Sequence, residues 1–450
     1  MFKGGIDMPN YLDNLDLIDA ENHVTNVLLQ DRGTLALTNQ NTLDISNLSS
    51  TVGGHTTAIS GIQSDLGIVS NLKTANKTAV SAINEIYDEL TPSTFFYACK
   101  AFGDGNNHIL NSMYSTLEEA QEDYPEAVAL TDQADWCALK RYMLYCQSHN
   151  EPMLIPSGTY MLNKPLELDI DNGAIAVKGE GFTTQLKATN GNNLFYLLGG
   201  SSHLYHNTFS DLYLNGNSQN GIGLYLYEIS FTTLINVTVA GCDKGIEYHR
   251  CDHSTLIGCR ITWNDIGVYG YTEDYAHYTA INNISFFGCT IGNNTTSGVT
   301  FWRTSGCGFY NCDIEYNGAG TRSVSVRYEG GICVTDCGGQ GVNGLTVEGC
   351  YIEGNSGWGS IIVDQQFCLQ PTIINIKDSC FTYSSTKSDV LADIYVFESP
   401  SVLSVINESG CGQRNYSNLL PASYTHTYPA SSSTYTTINR TNNYDVGDMV

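Results

Sequence analysis

Across the middle of the chain, apolar residues recur in short alternating pairs at a roughly constant step. Aligned on one apolar position the series is Leu214, Val239, Ile261, Ile291, Ile314 and Ile352, with Thr382 next. The steps between them run from 22 to 38 residues. Two residues before each anchor stand Leu212, Val237, Cys259, Cys289, Cys312 and Cys350. Alternation along a strand puts both positions on one face. Three residues after the anchors come Asn217, Cys242, Asn264, Asn294, Asn317 and Asn355. A second apolar stretch then opens at Ile222, Ile246, Val268, Val299, Val324 and Ile361. A short period with variable insertions and no amphipathic helix inside it predicts a solenoid of stacked parallel strands. Like residues then stack on like, about 4.8 Å apart. Cysteine suits an inward column as a small hydrophobe. Asparagine suits a turn column because it tolerates the left-handed conformation and its amide can bond along the stack.

Other parts of the chain follow other periods. In Thr131–Gln147, Trp136, Leu139, Met143 and Cys146 share one helical face, and Thr131 or Asp132 is placed to cap it. Residues 45–90 carry a three-four apolar spacing, from Ile45 and Leu48 to Tyr87 and Leu90, which predicts coiled-coil pieces. Gly53, Gly54, Gly61 and Gly67 break them into segments. After Tyr383 the repeat spacing fades into a Ser-, Thr- and Tyr-rich tail.

The repeat resembles the right-handed parallel β-helix of the pectate-lyase-like superfamily. The run "LIPSGTYMLNKPLEL" (Leu154–Leu168) looks like that family's first strands, with the preceding helix as the plug of the open end. "NLKTANKTAVSAINEIYDEL" (Asn71–Leu90) resembles a segment of bacteriophage tail-fibre and appendage proteins. Together these resemble a phage tailspike or neck appendage. The resemblance implies an all-β right-handed parallel β-helix behind a partly helical stalk, a homotrimer, and a place on the virion. It divides the chain into a virion-attachment segment (1–44) contacting phage tail, neck or baseplate proteins, and a stalk for trimerisation (45–94). A receptor-binding body (95–383) and a β-rich or trimer-interdigitating tail (384–450) follow.

Charge narrows the partners. The net charge is −26, which argues against nucleic acid and anionic membrane. No apolar run approaches the roughly 20 residues of a membrane span. The N-terminus shows no secretory signal pattern, so synthesis in the bacterial host cytoplasm is expected. The 15 cysteines lack paired spacings, and neither a disulfide framework nor a metal is expected. No cofactor motif occurs.

Alternation also predicts what points outward from the second strand. One column would hold Glu247 and Tyr269. The next would hold Tyr225, His249, Tyr271, Trp302, Arg327 and Asp364, and a third Tyr227 and Glu329. Tyrosine, tryptophan, histidine and carboxylates on one lateral face suit a host-surface glycan or a teichoic-acid-like polymer. An inserted loop, "GYTEDYAHYTA", adds Glu273, Asp274, Tyr275 and Tyr278 as a rim. A trimer contact is the competing use of that face. Glycoside hydrolysis needs two carboxylates flanking the bond. On this register Glu329 and Asp364 fall about 8 Å apart at Cα; Glu247 with Asp252 or with the loop acids is an equal alternative. The Asn-Thr-Asp, Asp-Asp, Gly-His-Gly and Arg-Ile-Lys motifs of polygalacturonase-type hydrolases are absent. Adhesion alone and adhesion with depolymerisation both stand.

Overall fold

The computed structural model describes residues 92–200, 206–218, 220–271, 281–318, 328–335, 343–364, 372–383, 390–397, 404–409, 411–415, 425–428, 436–441 and 444–445. The expected attachment segment (1–44) and all but the end of the expected stalk segment (45–94) lie outside them. So do Arg327 and the rim residues Glu273, Asp274, Tyr275 and Tyr278.

From Met153 to Asp445 the chain winds as a parallel β-helix. Among the described residues every strand-to-strand pairing is parallel, in a 22-stranded and a 10-stranded sheet. The anchor column is in register as aligned: Leu214, Val239, Ile261, Ile291, Ile314 and Ile352 are successive partners. All six are fully buried. The next partner is Phe381 and not Thr382, because Ser379 takes the cysteine position. The ladder does not stop at Tyr383. Strands Val390–Phe397, Ser404–Ser409 and Gly412–Asn415 continue it, and Thr436–Thr441 and Tyr444–Asp445 follow.

The recurring Gly-Cys pair has a conformational cause. Thr233–Ala240 is one strand that bends at Asn236 (φ 54°), and later coils break at the same corner. Gly258 (φ 60°), Gly288 (φ 57°), Asn311 (φ 53°) and Gly349 (φ 65°) occupy it, all left-handed. The cysteine that follows turns inward. The Sγ atoms of Cys259, Cys289 and Cys312 each donate to a main-chain carbonyl of the preceding coil at 3.5 Å.

The asparagine column forms a buried amide ladder. Asn264 Nδ2 donates to Asn294 Oδ1 (3.1 Å), Asn294 to Asn317 (2.9 Å) and Asn317 to Asn355 (2.9 Å). The left-handed conformation falls on the residue before each, Trp263, Asn293, Tyr316 and Gly354. These asparagines are therefore used for hydrogen bonding, and only Asn217 is itself left-handed.

The plug helix spans Ala134–His149 and buries Trp136, Leu139, Met143 and Cys146, as its spacing predicts. Its cap differs. Gln133 is the N-cap residue and makes no side-chain cap bond. Asp132 instead accepts from the amides of Val128 and Ala129 and pairs with Lys164. Asp135, in the first turn, accepts from the amides of Phe102, Gly103 and Met161, tying the plug to the first coil.

Candidate functional site

The 10-stranded sheet presents one lateral face of the β-helix. Its strands run from Leu166–Asp169 and Phe195–Leu198 through Ile222–Tyr227, Lys244–His249, Ile266–Tyr271 and Ser297–Trp302. Gly330–Thr335, Gly357–Asp364, Val390–Phe397 and Thr425–Tyr428 complete it. Alternation turns every second side chain outward.

Two outward columns result. The first runs Glu167, Tyr196, Tyr225, Glu247, Tyr269, Thr300, Cys333, Ile362, Tyr395. The second runs Tyr227, His249, Tyr271, then Trp302, Thr335, Asp364 and Phe397. Tyr225 thus stands beside Glu247, and Tyr227 beside His249, two residues from the register expected of the sequence. The turn through Asn217 and Ser218, both left-handed, is longer than its neighbours, so Leu224 rather than Ile222 partners Ile246. Val324 lies outside the described residues, and Ile332 takes the inward position assigned to it.

That shift separates one expected acid pair. Glu329 precedes Gly330 at the start of its strand, whereas Asp364 partners Thr335 at the far end. Six residue steps put them about 20 Å apart along the strand direction. They do not flank one bond. Both are buried.

The first half of the face is a ladder of half-buried tyrosines around a buried acid and imidazole. Tyr196 stacks on Tyr225 at 4.6 Å and His249 on Tyr271 at 4.5 Å. Tyr227 meets the His249 ring edge-on at 4.7 Å, and Tyr225 Oη lies 3.2 Å from His249 Nδ1. Each stacked ring covers one face of its partner. The surface therefore offers hydroxyls and ring edges rather than a row of flat platforms. Glu247 points outward yet is only 3% exposed. Its Oε2 accepts from Lys244 Nζ at 2.8 Å, and that ammonium lies 4.5 Å over the Tyr269 ring. Burial pushes the Glu247 carboxyl above its ordinary pKa, and Lys244 opposes the shift. Burial also raises the Tyr196 and Tyr225 hydroxyls. At the strand end Arg250 Nη1 bonds Glu228 at 2.5 Å. Asp252, the other partner weighed for Glu247, sits past that corner beside His253, its Oδ1 3.4 Å from Nδ1.

The second half is closed. Cys333, Ile362, Tyr395 and Phe397 form a second hydrophobic cluster outside the main core, with Tyr328 and Trp358 packed against it. Trp302 lies at the junction, 6.4 Å from Tyr328. Its Nε1 is buried without a hydrogen-bond partner among the described residues.

A further set of acids escaped the sequence reading. Asp313, Glu315 and Glu353 lie on the outer side of a different face. The hydroxyls of Tyr316 and Tyr351 donate to Glu353 at 3.2 and 2.9 Å. Burial and mutual repulsion raise Asp313 and Glu315. The signal was present as the repeated "CDIEYN" and "CYIEGN", where residues flanking an inward isoleucine must both face out.

A family model described as "Right handed beta helix region" matches residues 196–393. No curated protein matches the chain. Among solved structures, Geobacillus virus E2 ORF18 is 17% identical, with a TM-score of 0.49 over 83% of this chain. The chain spans 65% of the length of that protein. The tailspike protein gp49 of Pseudomonas phage LKA1 is 15% identical, with a TM-score of 0.42 over 79% of each chain. The A-module of the Azotobacter vinelandii mannuronan C-5 epimerase AlgE4 is 12% identical, with a TM-score of 0.46, covering 77% of this chain and 94% of that one. At these identities none of the likenesses bears on ligand or chemistry.

Proposed function

We propose that this β-helix is the receptor-binding body of a bacteriophage tail appendage, and that the tyrosine ladder contacts a host-surface polysaccharide. The observation that carries the reading is the open half of the 10-stranded face. There five tyrosines, an imidazole and a paired carboxylate form one continuous polar-aromatic strip on regular strands. An extended polymer matches an extended strip, and repeated coils match repeated sugars. The phage assignment is supported by the Asn71–Leu90 resemblance. In this reading residues 1–44 attach to the virion and residues 45–94 trimerise.

Cleavage in addition to binding is favoured by the placement of Glu247, an outward-pointing carboxylate between Tyr225 and Tyr269 in the strip, where burial raises its proton affinity. One incubation tests both readings. The purified chain is mixed with surface polysaccharides of candidate bacterial hosts, and retention and polymer size are followed. Retention that Tyr271→Ala weakens supports binding, and retention indifferent to that change refutes the strip as the contact. A falling polymer size, abolished by Glu247→Gln, adds the enzymatic role. Unchanged size leaves an adhesin.

A further inference from the structure

We infer that the open half of this face selects uncharged glycans and excludes polyanions such as poly(glycerol phosphate) or polyuronates; the inference rests on reading the face as a glycan site. Lys244 is the only lysine or arginine in the ten strands of the sheet. It is already committed, 2.8 Å from Glu247 Oε2 and over the Tyr269 ring. The Glu247 side chain is 5% exposed. A phosphate or carboxylate seated on the ladder would have to draw Lys244 away. That would strand a buried carboxylate without its counter-charge, which is strongly unfavourable. Past the strand ends, Arg250 is held by Glu228 at 2.5 Å. Glu167 stands in the same outward column as Glu247 and adds repulsion. The net charge of −26 repels a polyanion before it arrives. A neutral sugar meets none of these barriers. Its hydroxyls can replace water at the tyrosine hydroxyls and leave the ion pair in place.

The test is equilibrium binding of the full chain to a panel of neutral polysaccharides (glucan, mannan, galactan and poly-N-acetylglucosamine), to poly(glycerol phosphate) and to polygalacturonate. We expect at least one neutral polymer to bind, with both polyanions at least about tenfold weaker, a gap that narrows as salt rises. A polyanion binding as tightly as the best neutral polymer overturns the charge selectivity while the glycan reading survives. No binding to any polymer overturns both. Glu247→Gln, confirmed folded by circular dichroism, releases Lys244 from its counter-charge. Polyanion binding should then rise several-fold, and no rise contradicts the ion-pair account.

Discussion

Tyr225 and Tyr395 occupy the same outward column of the same sheet and meet opposite fates. Tyr225 is half-buried, stacks on Tyr196 and bonds His249. Tyr395 is 1% exposed and packs among Ile362, Phe397 and Trp358. The coil geometry is the same, so the neighbours decide. Where the column holds Glu247 and Tyr269, the strip keeps polar edges at the surface. Where it holds Cys333 and Ile362, apolar area condenses into a satellite core. A solenoid face is thus a scaffold on which contact and burial are set coil by coil.

The largest expected effect breaks the closed half. Tyr395→Ala should cost about 3 kcal/mol in urea unfolding and leave glycan retention per folded molecule unchanged. A loss of retention would mean that the halves act as one. A lesion beneath both should not distinguish them. Asn294→Ala opens the amide ladder, at about 2 kcal/mol for the unpaired buried partners, and should weaken retention only in proportion to unfolding. In the open half the signs reverse. Tyr271→Ala should lower glycan affinity about tenfold, roughly 1.4 kcal/mol, while shifting the urea midpoint little. The smallest effect is the pH dependence that Glu247 contributes. The folded pKa of Glu247 is raised above its ordinary 4.5, so protonation favours the folded chain. That contribution is complete below the unfolded value and is lost as pH rises through the folded one. The stability of wild type relative to Glu247→Gln should therefore fall from mild acid toward neutrality. Ile362→Ala should show no such pH trend.

The inward half of the design was legible because it repeats. Apolar anchors, cysteines and asparagines each have one stacking solution, and their alignment survives insertions. The outward half was legible only where turns kept their length. Three residues more between Leu214 and Leu224 than between Val239 and Ile246 moved Tyr225 by two positions. The insertion between Gly318 and Tyr328 detached Glu329 from Asp364. The ladder beyond Tyr383 was hidden because serine and phenylalanine replace cysteine and isoleucine at Ser379 and Phe381. The buried state of Glu247 and His249 depends on rings from adjacent coils, which no single strand displays.

The most direct test of the central claim is tyrosine footprinting. The full chain is nitrated or iodinated with and without a bound host polysaccharide, and modification is read residue by residue by mass spectrometry. We predict protection at Tyr196, Tyr225, Tyr227, Tyr269 and Tyr271, with Tyr316 and Tyr351 unprotected. Protection at Tyr316 and Tyr351, beside Asp313, Glu315 and Glu353, with none on the ladder, would contradict the account and move the glycan to the other face.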